Sequence, residues 1–424
     1  MNRILLKHKN FYIAILALCY FPTTVFATIE QEGFRFRNDN GSETTASWIA
    51  SQDTNISREI NINTRLRVLL NATGDPASAQ YQLEYKKSTE NLYKKISTTI
   101  NETIAIRSET TGSGTTSAVD GTFTVNKPAT VSNGDFIVVI VGKTDDPDVA
   151  PPAGFTTGGE LGTTTGNDVF GGIYYKFITD ASSEPASYTF DSAGTSESFM
   201  YWTGSLSGID ETNPEDVSFS TGSGYWVNLS NTSPNAPSVT TVTAGAFALA
   251  AWVVNLDTVT TQPGGSWASR ADDVGSMNVV SQTFPTPATA TGTPQITDVS
   301  GSQRTQTGTF VFRPLRYAFT LGASANITAS GENTTFQLDA PAGKNTGDFV
   351  TGRMQDDENP ADAVDITLDD YTELEWSIKA TSYAVVGGVY TFRVTTAGVV
   401  LDTYSVTPQW TINAHNGMFM GINF

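Results

Sequence analysis

Histidine and cysteine are nearly missing from this chain. Of 424 residues, two are histidine and one is cysteine, and both Cys19 and His8 fall in the first 27, which leaves His415 alone in the remainder. A chain cleaved after that leader has no disulfides to form, so its stability has to come from apolar cores. A serine nucleophile would lack the usual histidine base, and zinc held by His or Cys is excluded as well. Positive charge is scarce too. Against 43 Asp+Glu stand 24 Lys+Arg, a formal charge of −19 that falls to near −22 once Arg3, Lys7 and Lys9 leave with the leader. Such a surface repels phosphate backbones, and nucleic acid is not expected as a partner.

The opening "MNRILLKHKNFYIAILALCYFPTTVFA" sets three basic residues before an apolar run, Phe11 to Phe21, and ends on Val25, Phe26 and Ala27. This predicts a secretory signal peptide over 1–27, with an uncleaved amino-terminal anchor as the alternative. Leu18 disfavours lipid attachment at Cys19. No later run reaches membrane-spanning length, so no transmembrane span is expected after cleavage, and the expected location is secreted or at a bacterial cell surface.

Helical periodicity is almost absent. Short runs rich in Val, Ile, Thr, Tyr and Phe recur between turn residues, as in "GDFIVVIVGKT" (134–144), "GGIYYKFIT" (171–179), "GAFALAAWVVN" (245–255) and "TGTFVFRP" (307–314). The predicted class is all-β, with two jelly-roll-like β-sandwich domains.

Two distant strands repeat each other. "NTRLRVLLNAT" (63–73) matches "YTELEWSIKAT" (371–381), with Arg65 and Arg67 where the second copy has Glu373 and Glu375. Downstream, "AQYQLEYK" (79–86) matches "GVYTFRVT" (388–395) after one inserted residue, and upstream "FRFRNDNGSE" (34–43) matches "TGRMQDDENP" (351–360), with Arg35 over Arg353 and Asp39 over Asp357. Each unit offers only about four strands, too few to cover its own apolar face. The two units are therefore expected to be halves of one split domain, 28–109 plus 316–415, carrying an inserted domain over 110–315. "SETTGSGTTSAVDG" (108–121) reads as the linker into the insert, "NLYKKI" as a short helix or an irregular excursion, and Arg65, Arg67, Glu373 and Glu375 as outward-facing charges that attract if their strands are neighbours.

The phrases "VSNGDFIVVIVG", "PPAGF", "GIYYKFITDASSEPASYTF", "GSLSGIDETNP" and "APSVTTVTAGAFALAAWV" run in order through the middle segment. This ordered set resembles a β-sandwich module of secreted bacterial surface proteins and of phage tail and fibre proteins, with Phe155 where the module usually has Trp after its "PPAG" turn. The flanks, with "FRFRNDNGSETTASW" and "TYSVTPQWTI", resemble units of uncharacterised secreted bacterial proteins. The resemblance implies surface display or adhesion and supplies no catalytic residues.

Carboxylates are the remaining catalytic candidates, yet no phrase singles out an acid and a base of the kind that glycoside hydrolysis needs. Asp145, Asp146 and Asp148 in one turn, and Asp356, Asp357 and Glu358 in another, are candidate calcium ligands or else solvated turn acids. Trp202, Trp252 and Trp376 sit in apolar strands and are expected in the core. Tyr225, Trp226 and Trp267 lie beside Gly-rich turns and are expected either to stack on sugar rings or to plug the core. The tail 416–424 alternates Met418, Met420, Ile422 and Phe424, a last strand for the split domain or one offered to a neighbouring molecule in self-assembly. The expected function is non-enzymatic binding or adhesion at a cell surface, with glycans as candidate ligands. The alternatives are a filament subunit assembling by strand exchange and, third, a carbohydrate-active enzyme.

Overall fold

The computed structural model describes residues 29–73, 79–144, 149–162, 169–192, 196–219, 226–230, 232–255, 261–272, 276–297, 304–327, 331–355, 364–396 and 398–414. The protein is all-β, its only helices being short 3-10 turns among these residues.

Strands from the two ends of the chain build two sheets together. The first has the order Phe319–Leu321, Tyr371–Ala380, Asn63–Ala72, Ile29–Asn38, Thr403–Tyr404, and the second Ile56–Arg58, Gln409–Ile412, Val389–Thr396, Tyr81–Lys87, Lys94–Lys95. One apolar cluster joins Leu66, Val68, Trp376 and Ile378 of the first sheet to Leu83, Tyr85, Phe392 and Val394 of the second. Phe319 stands at its centre, its ring 4.9 Å from Phe392 and 5.1 Å from Trp410. The apolar side chains of the matched strands lie side by side in one sheet, Leu66 opposite Trp376 and Val68 opposite Leu374.

The repeats pair with each other. Tyr371–Ala380 runs antiparallel to Asn63–Ala72 from Asn71 opposite Tyr371 to Asn63 opposite Lys379, so Arg67 meets Glu375 at the middle. Tyr81–Lys87 runs antiparallel to Val389–Thr396, with Glu84 meeting Arg393 at the middle. Those residues are also the ones the repeats align with each other, so each pair lies on an approximate two-fold axis relating its own two strands. The third matched block departs from this symmetry. Ile29–Asn38 is antiparallel to its neighbour, whereas Met354–Gln355 runs parallel to Tyr371–Ala380. The structural counterpart of Ile29 is Phe319, the one opposite Ala72 and the other opposite Ala380.

The middle segment is built in three layers. The sheet Thr156–Leu161, Phe170–Phe177, Phe136–Lys143, Ser198–Ser207, Ala105–Thr115 packs one face on the sheet Val227–Ser230, Arg304–Phe312, Ala246–Val254, Met277–Phe284, Ala268–Ala271. Its other face is covered by Phe123–Asn126, Ser187–Ser192 and Val149–Ala150. Every residue of Phe136–Lys143 is consequently buried, and its sequence is a continuous apolar run rather than an alternating one.

Two local expectations are corrected, and one left open is decided. The expected linker is largely a strand: Ala105–Thr115 pairs with Ser198–Ser207 at ten positions, and Ile104 belongs to the same apolar cluster as the strands of the middle segment. It carries no apolar stripe because the rings of Tyr201 and Phe199 lie over Gly112 and Gly114, where a Cβ would stand 2.6 Å and 3.1 Å from them. Of the two readings of "NLYKKI", the irregular excursion holds: it contains no helix, only the two-residue strand Lys94–Lys95. The matched charges do lie on neighbouring strands, but they are sealed from water. Arg37, Arg65, Arg67, Glu373 and Glu375 are each 0% exposed.

The loops on either side of Glu43 and Thr335 make that seal. Arg67 bridges Glu43, Glu373 and Glu375, while Glu375 also holds Arg37 at 3.0 Å and Arg65 at 3.1 Å. Arg65 Nη2 donates to the Gly41 carbonyl at 2.5 Å, and the backbone N–H groups of Gln337 and Leu338 donate to Glu373 at 3.0 and 2.9 Å. Burial alone would push the Glu43 carboxyl up, but the Thr335 N–H and the Arg67 guanidinium outweigh it and hold that carboxyl below its ordinary range.

Candidate functional site

The chain crosses between the two parts twice, and the crossings bind each other. Glu102 N–H donates to the Leu315 carbonyl at 2.8 Å and Tyr317 N–H to Ile100 at 3.0 Å, while Leu315 N–H reaches Gly208 at 2.7 Å and Asp210 N–H reaches Arg313 at 3.0 Å. Around this braced neck runs a groove with three lobes, all touching Leu315. The first, about 400 Å³, is lined by Glu84, Tyr93, Lys94, Phe177, Glu211 and Arg393. The second, about 240 Å³, holds Lys87, Glu90, Asp210, Arg313, Arg316 and Tyr383. The third, about 550 Å³, lies along Lys95, Asn101, Arg107, Asp135 and Tyr317.

The two-fold pair of the second sheet opens onto the first lobe. Arg393 donates from Nε and Nη2 to Glu84 Oε2 at 3.0 and 2.8 Å, and its guanidinium carbon lies 3.9 Å from the centre of the Tyr93 ring. Lys86 approaches the same ring at 4.9 Å. Across the neck, Lys94 Nζ stands 2.9 Å from Glu90 and 3.4 Å from Glu211, tying the sheets built by the chain ends to the middle segment. Burial pushes the Glu211 carboxyl up from its ordinary value, and Lys94 only partly offsets this. In the third lobe Arg107 grips Asp135 with two bonds, 2.7 and 3.1 Å. These charges of mixed sign are set among aromatic rings where the two parts of the chain meet, the kind of joint at which ligand clefts commonly form.

The residues singled out in the sequence lie elsewhere. Trp226 is 0% exposed, its ring 5.3 Å from Phe310, in room made by Gly171 and Gly308. It is a core residue and presents no face to a sugar. Trp267 is half-buried with its ring 6.2 Å from Phe284. Phe155 packs 4.9 Å from the Tyr188 ring, as an apolar plug would. Trp202, Trp252 and Trp376 are buried. Tyr225, Asp145, Asp146, Asp148, Asp356, Asp357, Glu358 and the tail 416–424 lie outside the described residues. Among the described residues no three His, Cys, Asp or Glu side chains gather as metal ligands would, and no helix is long and apolar enough to cross a membrane.

Sequence reading missed the groove because its parts come from "NLYKKI", from the strand ends near Lys87 and Arg393, from the re-entry "FRPLRY", and from residues around Arg107, Asp135, Asp210 and Tyr383, distant stretches without a shared pattern. Basic residues recurring at both chain crossings were the one available signal. Comparison with family models, with characterised proteins and with solved structures gives no match.

Proposed function

We propose that this is a secreted, non-enzymatic binding protein of a bacterial surface or its surroundings, in which the two chain ends form a frame and the middle segment is displayed as a head. Its ligand is a glycan held at the neck. The observation that carries this reading is the braced groove, where the half-buried Tyr93 ring and paired charges such as Glu84 and Arg393 converge on one concave surface. Ring faces suit the apolar faces of sugars, and paired charges suit their hydroxyls. The sequence resemblance to surface and fibre modules agrees with it.

The test is a glycan array probed with the chain lacking residues 1–27, with Tyr93→Ala as control. Binding that Tyr93→Ala weakens is expected, and an array without any bound glycan overturns the proposal. Release of reducing ends from a bound polysaccharide would make the protein an enzyme instead.

A second reading, a filament subunit, is favoured by one observation. Ala105–Thr115 is an edge strand of 11 residues, whereas the other edge strands of the described sheets have at most six. A long edge is a template for strand addition. Negative-stain images showing polymers would select this reading, and a monomer at high concentration would remove it.

A further inference from the structure

We infer that the second lobe of the neck groove is a seat for an acidic sugar, carboxylated or sulfated; this rests on the glycan-binding reading. The molecule as a whole is acidic, yet this lobe sets Lys87, Lys94, Arg313 and Arg316 against only Glu90 and Asp210. Both acids are already engaged. Glu90 holds Lys94 at 2.9 Å and accepts the Lys87 N–H at 3.2 Å, and Asp210 Oδ1 accepts the N–H groups of Thr212 and Asn213 at 2.9 and 3.1 Å.

Two of the cations are not matched. Lys94 has Glu90 and Glu211, and Arg313 lies 3.6 Å from Asp216, but Lys87 and Arg316 have no carboxylate partner among the described residues. Arg316 is held in place without being neutralised: it donates from Nη2 to Thr243 Oγ1 at 2.5 Å and lies 4.7 Å from the centre of the Tyr383 ring, while its Nε is buried with no acceptor. A fixed guanidinium and a nearby ammonium form a charge-assisted site for a carboxylate or sulfate. Tyr383 and Val385 supply an apolar face, and Asn213 and Thr212 supply polar groups for ring hydroxyls.

Charge also sets the size of the ligand. Screening limits the reach of surface charge to about 10 Å at ordinary salt, so an anion inside the lobe responds mainly to its cations. A nucleic acid, with a phosphate about every 1.7 Å of duplex, would lay most of its charge on an acidic surface. A short acidic saccharide meets the first condition and avoids the second.

The test compares a hexamer of galacturonate with a neutral galactose hexamer, each titrated calorimetrically into the chain lacking residues 1–27, its Lys87→Glu variant and its Arg316→Gln variant, with melting curves to confirm folding. The acidic hexamer is expected to bind at least about tenfold more tightly than the neutral one, to weaken about tenfold or more in Lys87→Glu, and to weaken with added salt. Equal affinity for the two hexamers, or unchanged binding by a folded Lys87→Glu, overturns the acidic seat and leaves glycan binding intact. Displacement of the acidic hexamer by an equal concentration of short single-stranded DNA overturns it in favour of a nucleic acid. A glycan array without any binder removes both readings together.

Discussion

In each of the two sheets an ion pair sits at the two-fold middle of the paired repeat strands, and the two pairs have opposite fates. In the first sheet the amino-terminal half contributes Arg67 and the carboxy-terminal half Glu375, both at 0% exposure under covering loops. In the second sheet the order is reversed, with Glu84 from the first half and Arg393 from the second, and their side chains keep 10% and 22% exposure at the edge of the neck groove. Two copies of the same half would set Arg67 against Arg67 and Glu84 against Glu84. Like charges directly opposite one another destabilise a sheet, so both pairs specify the union of unlike halves. What differs is the cover. Loops close the first pair into structure, and the second is left beside a cleft where a ligand can reach it.

Removing one member of each pair separates the two most strongly. Arg67→Met leaves Glu43, Glu373 and Glu375 buried without their common partner and is expected to cost about 3–5 kcal/mol or to prevent folding. Arg393→Met loses one charged hydrogen-bond pair and a ring contact at a partly wet site, for about 1–2 kcal/mol. Chemical denaturation of both variants measures the gap, and equal losses would mean that the seal over the first pair has no energetic consequence.

Reversing whole pairs is a finer probe. Glu84→Arg with Arg393→Glu is expected to stay within about 1 kcal/mol of the parent, because the attraction survives and the surroundings are partly solvated. Arg67→Glu with Glu375→Arg stays strongly destabilised, since the new Glu meets Glu43 and Glu373 and the new Arg meets Arg37 and Arg65. Recovery of the buried reversal would show that only the central pair matters.

Acid is expected to act on the two regions with opposite sign. The Glu43 carboxyl lies below its ordinary range when folded, so its contribution is present above the unfolded value of about 4.3 and is lost as pH falls through the lower folded value. Glu211 is raised, so its contribution is greatest below about 4.3 and declines as pH rises through the higher folded value. Denaturation of Glu43→Gln and Glu211→Gln across pH 3 to 7, each against the parent, reads the two slopes. Glu211→Gln that keeps the parent's slope in the carboxylate range would contradict the assignment at the neck.

The pairing of the halves was legible because a repeat with inverted charge is a local pattern. Its depth was not. A period of two sends Arg65 and Arg67 away from Leu66 and Val68, but whether that second face meets water depends on loops near Glu43 and Thr335, almost 300 residues apart. The same limit applies to tryptophan. Trp226 and Trp267 both sit beside Gly-rich turns, and the first is buried because Gly171 and Gly308, in other strands, leave space for its ring. Residues 108–115, within the strand Ala105–Thr115, read as part of a linker because the covering rings belong to the neighbouring strand. The groove is a tertiary product of many distant stretches, none of which carries a motif.

The central claim is that the two ends of the chain are strands of one frame, paired repeat to repeat. Engineered cysteines test it directly, because the only native cysteine, Cys19, falls within residues 1–27 and is absent from the shortened chain. Lys86 and Thr391 are register partners in the second sheet and both are partly exposed. With Lys86→Cys and Thr391→Cys in the chain lacking residues 1–27, mild oxidation is expected to give one intramolecular disulfide in a monomer, seen by mass and by faster migration in a non-reducing gel. Free thiols under those conditions, or disulfide-linked dimers alone, would contradict the shared frame.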